Sequence, residues 1–527
     1  MKSLRVLDCT LRDGGYCNQW KFGEQNIKKI IDGLCEANID IIECGFLTNK
    51  IDYNPDISKY TNLDQITSFL PRYRANKIFV AMINYGEYDI DSLPNYNGKS
   101  LDGIRVAFHK SNRYEALEVC KKIKAKGYKV FVQPMVSVSY TDLEFVEMIK
   151  IVNEFEPYAF YIVDSFGMMK NKDLLRLYHM VENNLLSAIS IGFHSHNNMQ
   201  LAYSNALSLV NNQTSRNLII DSSVFGMGRG AGNLNTELFV EYLNDNCEKD
   251  YKIKPLLNMI DEILNKFYYE NYWGYSLPNY LSAKHNAHPN YAGYLSSKNT
   301  LTYENIDEIF EMMSPDKKVI YDKEYIEQLY LKYMEKNSLQ VGREELLKQK
   351  FENKKILLIA PGKSSQIEME KIKLFAAQKG VVSVSVNFNY SYIQCDFIFV
   401  SNLRRFKELK KREKAKCIAT SNLPYDGVYY QVNYKDLLND KEYVYDNAGL
   451  MAIKLLLSFG VEEIYLAGFD GYSHELKDNY YDDNMSIIAK NVMLDNMNVG
   501  MNDMLSAFDK IKPIKFLTKE RHLFINK

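Results

Sequence analysis

Two histidines of this chain stand two residues apart at the end of a short predicted strand, within residues 191–198. In an extended strand, residues two apart point to the same face, so His194 and His196 present two imidazoles side by side. Asp13, in a polar segment near the amino terminus, can add a carboxylate. Two nitrogens with an oxygen suit a divalent metal such as Mn, Zn, Fe or Co. These residue types therefore favour metal-dependent enzyme chemistry.

The elements that must position these residues follow a regular alternation between residue 3 and about residue 250. Short apolar segments rich in β-branched residues predict eight strands: 4–9, 39–44, 78–83, 103–108, 129–134, 159–163, 189–193 and 218–221. Amphipathic helical patterns follow most of them: 24–37, 114–126, 142–154, 172–186, 200–211 and 235–244. Residues 85–99 predict a loop instead. Strand–helix repeats in this number are typical of a closed (β/α)8 barrel.

Polar residues follow the predicted strands at the end where barrel active sites lie. The residues at these strand ends are Arg12, Asp13, Glu43, Asn84, Arg105, His109, Gln133, Asp164, His194 and His196. We expect Glu43 to take part in catalysis and Asp164, Gln133 and Arg105 to bind substrate. A structural ion pair between Glu43 and Arg105 inside the barrel mouth is an equal alternative.

Length and composition limit the classes of protein to which this chain can belong. A chain of 527 residues is too long for one ordinary core, so we expect at least two domains. Lysine plus arginine (65) nearly balances aspartate plus glutamate (66), which argues against a broad nucleic-acid surface. The eight cysteines have no paired spacing, and no long apolar segment predicts a membrane span. We expect free thiols, a cytoplasmic location and a homo-oligomer.

Five segments of the chain resemble motifs of the DRE-TIM metallolyases, the HMGL-like family of metal-dependent aldolases, lyases and synthases. The segments are residues 10–14, 42–46, 164–167, 194–198 and 226–233, and they lie in the family's order within residues 1–290. The closest likeness is to the 4-hydroxy-2-oxovalerate-type aldolases. The resemblance implies a TIM barrel and a divalent metal (Mn, Mg, Co or Zn). It implies that Asp13, His194 and His196 hold the metal beside Asn233, and that Arg12 stabilises an enolate.

The chain departs from the patterns of the subfamilies at several positions. The segment after the last strand carries Met227 and Arg229 but no cysteine, which disfavours a hydroxymethylglutaryl-CoA lyase. Tyr16 stands near the place where the aldolases would carry a histidine as proton carrier. Tyr16, a water on the metal or a distant residue must then handle the proton. In the aldolase subgroup a helical extension sends a tyrosine to the active site, and Tyr275 is the matching residue.

Two further interpretations stay open around the barrel. His285 and His288 are equally site residues or helix-cap histidines. A Schiff-base aldolase needs a desolvated lysine at a strand end, and Lys110 is the lysine nearest to such a position. The paired histidines favour the metal over this alternative.

A second α/β pattern begins after a helical, charged stretch, with residues 348–355 as a predicted linker. Predicted strands at 356–360, 381–386, 397–400, 417–419 and 463–467 surround a small-residue turn that can bind phosphate. The segment resembles the Rossmann-like domain of family-42 sialyltransferases and pterin-diphosphokinase-like proteins. The resemblance implies a nucleotide or sugar phosphate held by Ser364, Asn387 and Asp470. A purely structural role for the domain has comparable weight.

Together these observations predict an α/β protein with three parts. Residues 1–270 form an aldolase TIM barrel, 271–352 a helical extension and linker, and 353–527 a Rossmann-like domain. The expected reaction joins or cleaves a carbon–carbon bond next to a 2-oxo acid, such as pyruvate, with an aldehyde partner. The domain combination suggests surface-polysaccharide biosynthesis. The alternatives are a Claisen-type synthase that uses an acyl-CoA and a catalytically silent barrel that acts as a scaffold.

Overall fold

A computed structural model describes residues 3–74, 76–212, 214–298, 300–335, 344–482, 489 and 491–519. The chain divides into two compact units. The first unit comprises residues 1–289 and 318–320, and the second comprises residues 290–317 and 321–527. From the sequence we predicted domain boundaries at residues 270 and 352 instead. The function assigned to each of those parts stays a prediction.

The first unit is built on a closed barrel of eight parallel strands, as predicted. The barrel strands are β1 (Leu4–Asp8), β2 (Ile41–Leu47), β4 (Ile78–Asn84), β5 (Gly103–Phe108), β6 (Lys129–Pro134), β7 (Ala159–Asp164), β8 (Ser190–Ser195) and β9 (Leu218–Ser222). Closure comes from β1, which pairs with β9 on one side and β2 on the other. A two-residue strand that the sequence did not predict, β3 (Lys59–Tyr60), adds to the end of β2.

Helices cover most of the outside of the barrel. Those between the strands are Glu24–Glu36, Leu63–Thr67, Arg113–Ala125, Asp142–Phe155, Asn171–Asn184 and Ala202–Asn211. The helices after β9 are Thr236–Cys247, Ile253–Met259, Asn265–Glu270 and Leu277–Lys284, with a π-helical turn at Ile260–Leu264. The predicted loop after the third predicted strand is confirmed, because residues 85–102, all of them described, contain no helix.

The strands are buried on both faces, which explains their nearly continuous apolar sequences. A small core fills the inside of the barrel with residues such as Leu7, Val80, Phe131 and Tyr161. A larger core lies between the strands and the outer helices. The interior core leaves the carboxyl ends of the strands to polar side chains, and these form the candidate site.

The second unit contains a sheet of seven parallel strands in the order β14-β13-β12-β11-β10-β15-β16. The strands are β10 (Lys355–Ile359), β11 (Val381–Val386), β12 (Phe397–Val400), β13 (Cys417–Thr420), β14 (Tyr430–Val432), β15 (Glu463–Ala467) and β16 (Ile514–Phe516). The sequence did not predict β14 and β16, which have three residues each. The strand order reverses between β10 and β15, and such a switch point is where open α/β sheets bind ligands.

Helices of the second unit complete its layers. They include Pro289–Ser296, Tyr303–Glu311, Lys323–Met334, Glu344–Phe351, Met369–Ala376, Leu403–Glu408, Ala448–Ser458 and Asn491–Asp509. The predicted linker at 348–355 is wrong, because its first residues complete the helix Glu344–Phe351 and its last residue opens β10. Among the described residues, none of the helices is long and apolar enough to span a bilayer.

Candidate metal centre and active site

Three side chains meet at the carboxyl end of the barrel, where β1 and β8 end. Ligand atoms of Asp13, His194 and His196 all lie within 4.8 Å of one another. His194 belongs to β8, His196 follows that strand, and Asp13 lies in the turn after β1. The two imidazole rings are 5.2 Å apart. Bonds of about 2.0–2.2 Å from nitrogen and oxygen to a divalent metal fit this spacing, so the three residues can share one ion.

Hydrogen bonds of the two histidines leave one nitrogen of each available for a metal. The Nδ1 atom of His194 lies 3.0 Å from a carboxylate oxygen of Asp221. The Nδ1 atom of His196 lies 3.3 Å from the carbonyl oxygen of Arg229, which only accepts, so this nitrogen carries the proton. Burial lowers the pKa of His196 to about 3, and the ring is therefore neutral near pH 7. A neutral ring with a protonated Nδ1, as in His196, presents Nε2 as the ligand.

Asp13 and Asn233 supply oxygen atoms to the same place. Burial disfavours ionisation of Asp13, but His196 and Arg12 outweigh it and lower its pKa. The amide nitrogen of Asn233 donates to Asp13 over 2.7 Å, while its Oδ1 is buried without a partner among the described residues. Gly228 makes this approach possible, because a Cβ there would lie 2.1 Å from the Asn233 amide nitrogen. The unpartnered oxygen suits a further metal ligand, and the donor set fits the predicted ion.

Arg12 is buried next to Asp13 and is held by two carboxylates. Its Nη1 lies 2.5 Å from Asp13, and its Nε lies 2.9 Å from Glu43. Burial disfavours its charge, but Glu43 and Asp13 outweigh this effect and raise the pKa of Arg12. Its remaining nitrogen, Nη2, has no partner among the described residues. A permanently cationic side chain with one donor to spare can bind a developing oxyanion beside the metal.

A charged network supports the cluster from inside the barrel. Arg105 is fully buried and joins two carboxylates, with Nη1 2.7 Å from Glu43 and a short contact from Nη2 to Asp221. The ion pair between Glu43 and Arg105, which the sequence left open as an alternative, is therefore formed. Asp221 also contacts His194, so one chain of contacts runs from Arg12 to a proposed ligand. Asp221 is a site residue that the sequence did not predict, although it is the acidic last residue of the eighth predicted strand.

The other predicted site residues of the barrel lie in different surroundings. The buried Asp164 carboxylate accepts from the backbone N–H groups of Met168 and Met169, and burial raises its pKa to about 7. Gln133 is buried, and its Nε2 has no partner among the described residues. The Tyr275 side chain is 58% exposed, and no described contact joins it to Asp13, His194 or His196. The structure thus brings Asp13, Arg12, Glu43, Arg105, His194, His196 and Asn233 together, but not Tyr275.

Tyr16 and His288, two residues considered for the site from the sequence, lie at the mouth of the barrel. Tyr16 packs edge-on against Trp20, with ring centroids 4.7 Å apart, and lies under the Arg229 guanidinium at 5.4 Å. Burial raises the pKa of Tyr16, so its hydroxyl is protonated at neutral pH and has a proton to give. His288 packs against Phe166 with ring centroids 5.4 Å apart. Burial and then Arg229 lower the pKa of His288 to about 3, which keeps its ring neutral.

The comparisons with known proteins agree with this arrangement. Residues 3–261 match the model of the HMGL-like family. The matched residues contain all eight strands of the barrel. The barrel is similar to 4-hydroxy-2-oxovalerate aldolase of Geobacillus genomosp. 3, with 26% identity over 247 residues, 46% of this chain and 71% of that one. The same enzyme of Carboxydothermus hydrogenoformans (strain ATCC BAA-161 / DSM 6008 / Z-2901) is 28% identical over 246 residues, with the same coverage.

A crystal structure of the N-terminal domain of a proposed aldolase from Bacteroides vulgatus is 27% identical to this chain. The alignment of the two structures covers 56% of this chain and 96% of the Bacteroides vulgatus chain, with a TM-score of 0.49. The family, the aldolase relatives and the cluster of two histidines and an aspartate identify the barrel as a metal-dependent carbon–carbon lyase of the aldolase type. The predicted family, fold class, enzyme class and metal are confirmed.

In the second unit, a cavity of about 210 Å³ opens at the switch point of the sheet. Asp470 follows β15 and lines this cavity, and it accepts from the backbone N–H of Ser364 over 2.7 Å. Asn387 follows β11, also lines the cavity, and accepts from the backbone N–H of Ser401. The structure brings Asp470 and Asn387 to one cavity and places Ser364 behind Asp470.

Proposed function

We propose that the barrel makes or cleaves a carbon–carbon bond next to the carbonyl of a 2-oxo acid, with an aldehyde as the second substrate. One observation carries the proposal. Asp13, His194 and His196 form a compact ligand set, and Arg12 beside them keeps an unpartnered donor. A 2-oxo acid chelates a divalent ion through its carbonyl and carboxylate oxygens. The relatives named as 4-hydroxy-2-oxovalerate aldolases support the same substrate class.

In this proposal each residue has a defined task. Asp13, His194 and His196 hold the divalent ion, with Asn233 as a further oxygen donor. When bound, the ion supplies Lewis-acid stabilisation of negative charge on the carbonyl oxygen of the 2-oxo acid. Arg12 donates from Nη2 to that same oxygen, and its position is fixed by the carboxylates of Glu43 and Asp13.

We assign Arg105 a positioning role in place of the predicted substrate contact. Its guanidinium is completely buried and occupied by Glu43 and Asp221. Glu43 likewise holds Arg12 and Arg105 rather than standing free, so it acts on the reaction through Arg12. Gln133 keeps an unpartnered amide nitrogen and remains the proposed substrate contact, whereas Asp164 orders the turn after β7.

The alternatives have less support from the geometry. Lys110 lies 2.6 Å from Glu144, and a third of its side chain is exposed, which does not give the desolvated lysine that a Schiff base needs. A silent scaffold would not need two histidine rings gathered beside a buried carboxylate. A Claisen-type synthase would use the same ligand set, so the second substrate distinguishes it from an aldolase.

Proton exchange at the methyl group of pyruvate tests the proposal without an acceptor. The protein, stripped of metal and reloaded with Mn²⁺, is incubated with pyruvate in D₂O. Deuterium incorporation is followed by NMR after removal of the Mn²⁺. We expect exchange by the wild type and none by His194→Ala. The control variant His179→Ala, on the exposed face of a helix, is expected to exchange like the wild type.

Screening pyruvate with several aldehydes, and separately with acetyl-CoA, then separates an aldolase from a synthase. Products are read by mass spectrometry. The absence of exchange and product in a wild type that binds metal would overturn the enzymatic proposal. Product formed from pyruvate with acetyl-CoA, but not from pyruvate with any aldehyde, would favour the synthase.

We further propose that the second unit binds a nucleotide or sugar phosphate in the cavity between the ends of β10 and β15. The supporting features are the position at the switch point, the start of the helix Ala448–Ser458 at the cavity, and the exposed Arg404 on its edge. Ser401, fully buried, also lines the cavity, and its Oγ has no partner among the described residues. A link to surface-polysaccharide biosynthesis, a homo-oligomer and a cytoplasmic location remain proposals.

Calorimetric titration with nucleoside diphosphates, sugar phosphates and inorganic phosphate tests this second proposal. We expect binding by the wild type and a weaker affinity in Arg404→Gln. Equal affinities of the two proteins, or no heat of binding with any of the probes, would contradict it.

A further inference from the structure

We propose that Arg229 binds an anionic group, a carboxylate or a phosphate, on the aldehyde substrate. This inference rests on the proposed aldolase function and names the class of its second substrate. Arg229 lies in the loop between β9 and the helix Thr236–Cys247. Its side chain is partly buried, and it is the charged residue of the glycine-rich segment 226–233.

The backbone of Arg229 fixes this side chain beside the metal centre. The Arg229 N–H donates to a carboxylate oxygen of Asp13 over 3.4 Å, and its carbonyl oxygen lies 3.3 Å from Nδ1 of His196. One residue therefore touches two of the three proposed ligands through its main chain. Its side chain therefore starts from a main chain that is held against the proposed metal ligands.

The guanidinium itself is positioned but not neutralised. Its Nη2 donates to the carbonyl oxygen of Ser165 over 2.9 Å, and its central carbon lies 5.4 Å from the centre of the Tyr16 ring. The Nε atom is buried and has no partner among the described residues. No described carboxylate forms an ion pair with the guanidinium, whereas Arg12 and Arg105 each pair with two. A fork with free donors fits a carboxylate or phosphate in two-point contact.

With a divalent ion and a 2-oxo acid bound, the charges of the site would sum to one positive charge. The charged side chains of this cluster are the buried Arg12 and Arg105, the partly buried Arg229, and the three buried carboxylates of Asp13, Glu43 and Asp221, so their charges cancel. A divalent ion adds two positive charges, and the carboxylate of a 2-oxo acid removes one. An aldehyde with one negative group would balance the remaining charge, which is costly to leave unpaired away from water.

The neighbours of Arg229 do not supply that negative group. His288 and His109 face it, and burial followed by Arg229 lowers the pKa of both rings, so both are neutral near pH 7. Neutral rings do not form an ion pair with the guanidinium, so its charge stays available to an anionic ligand.

Paired aldehydes test the assignment with pyruvate as the first substrate. Succinic semialdehyde is compared with butanal, and glycolaldehyde phosphate with glycolaldehyde. In the wild type we expect a higher kcat/KM for the anionic member of at least one pair. In Arg229→Gln this preference should fall roughly 10- to 100-fold, the effect of one lost charged hydrogen bond. The pair with the larger loss tells a carboxylate from a phosphate.

Further variants separate a lost contact from a damaged site. Arg229→Gln keeps a donor for the Ser165 carbonyl, and Arg229→Lys keeps the charge without the fork and should retain part of the preference. The surface variant Arg176→Gln should behave like the wild type. Pyruvate exchange in D₂O is measured for each protein.

Each adverse outcome has a distinct meaning. An anionic preference that is absent in the wild type or unchanged in Arg229→Gln overturns the inference. Exchange that slows as much as the complete reaction shows that Arg229 contacts the 2-oxo acid instead, which also overturns it. A wild type that binds metal without exchanging pyruvate protons refutes the proposed function itself, and the inference with it.

Discussion

Substitution of Asp221 by asparagine tests whether the buried network positions the metal ligand His194. Asp221 is 1% exposed and shares one carboxylate oxygen between His194 Nδ1 and Arg105. Arg105 and His194 outweigh the burial of Asp221 and lower its pKa, so the wild type presents a negative carboxylate. Asp221→Asn would keep nearly the same side-chain shape but lose that charge, which leaves Arg105 with Glu43 as its remaining carboxylate.

Two effects of this change can be estimated. The loss of a carboxylate behind a metal-bound histidine typically weakens metal binding about 10- to 100-fold. The loss of one partner of a buried ion pair costs about 3 kcal/mol of stability, since Arg105 stays in place with half its neutralisation. A 10- to 100-fold weaker affinity also reduces the stabilisation by saturating metal by about 1.4–2.7 kcal/mol.

Two independent measurements check these numbers. Mn²⁺ affinity is measured by calorimetry. Unfolding in urea is followed by tryptophan fluorescence, because both tryptophans, Trp20 and Trp273, lie in the first unit. The matched control is Asp40→Asn, whose carboxylate accepts from Val6 and Tyr251 next to the start of β2. An unchanged Mn²⁺ affinity in Asp221→Asn, or an equal loss in the control, would refute the positioning role.

Three further predictions concern the site. Asp13→Ala and His196→Ala should each abolish stoichiometric Mn²⁺ binding in calorimetry, whereas retained full affinity would exclude that residue as a ligand. Arg12→Gln should bind Mn²⁺ but exchange pyruvate protons about 10²- to 10³-fold more slowly, as for a lost oxyanion donor, and a smaller loss would argue for another donor. His288 has a pKa of about 3 in the fold. The unfolded chain therefore binds the extra proton between about pH 3 and 6.5, so stability rises with pH across that window. His288→Gln should weaken that rise: between pH 7.5 and 5 the variant should lose about 2 kcal/mol less unfolding free energy than the wild type. Equal pH profiles of the two proteins in urea unfolding would contradict the buried, neutral ring.

The parts of the site that the sequence predicts are those fixed by local periodicity. The spacing of His194 and His196 places them together in any strand, and Asp13 follows the first strand, which barrel closure brings to within two strands of them. The strands buried on both faces are recognisable because their apolar sequences are continuous. Two- and three-residue strands such as Lys59–Tyr60 carry no periodicity, so they are found only in three dimensions.

Other features depend on contacts across the barrel that no local pattern encodes. Asp221 gains its role only when closure brings β9 beside β8 and lets Arg105 reach across from β5. The expected position of Tyr275 depended on where the extension after the barrel turns, and its ring lies more than half exposed. Whether a buried carboxylate binds substrate or orders a turn, as Asp164 does, is decided by its hydrogen-bond partners rather than by its place at a strand end.

The loop at residues 226–233 links metal binding to the choice of substrate. A Cβ at Gly228 would meet Asn233 and Asp13, and a Cβ at Gly232, where φ is +84°, would lie 2.0 Å from the carbonyl oxygen of Gly226. The glycines therefore hold the backbone against the metal ligands and leave little room for side chains. Arg229 can vary within this frame, because its main chain supports the ligands while its guanidinium projects from them. A substitution at this position should therefore alter the preferred aldehyde far more than the affinity for the metal.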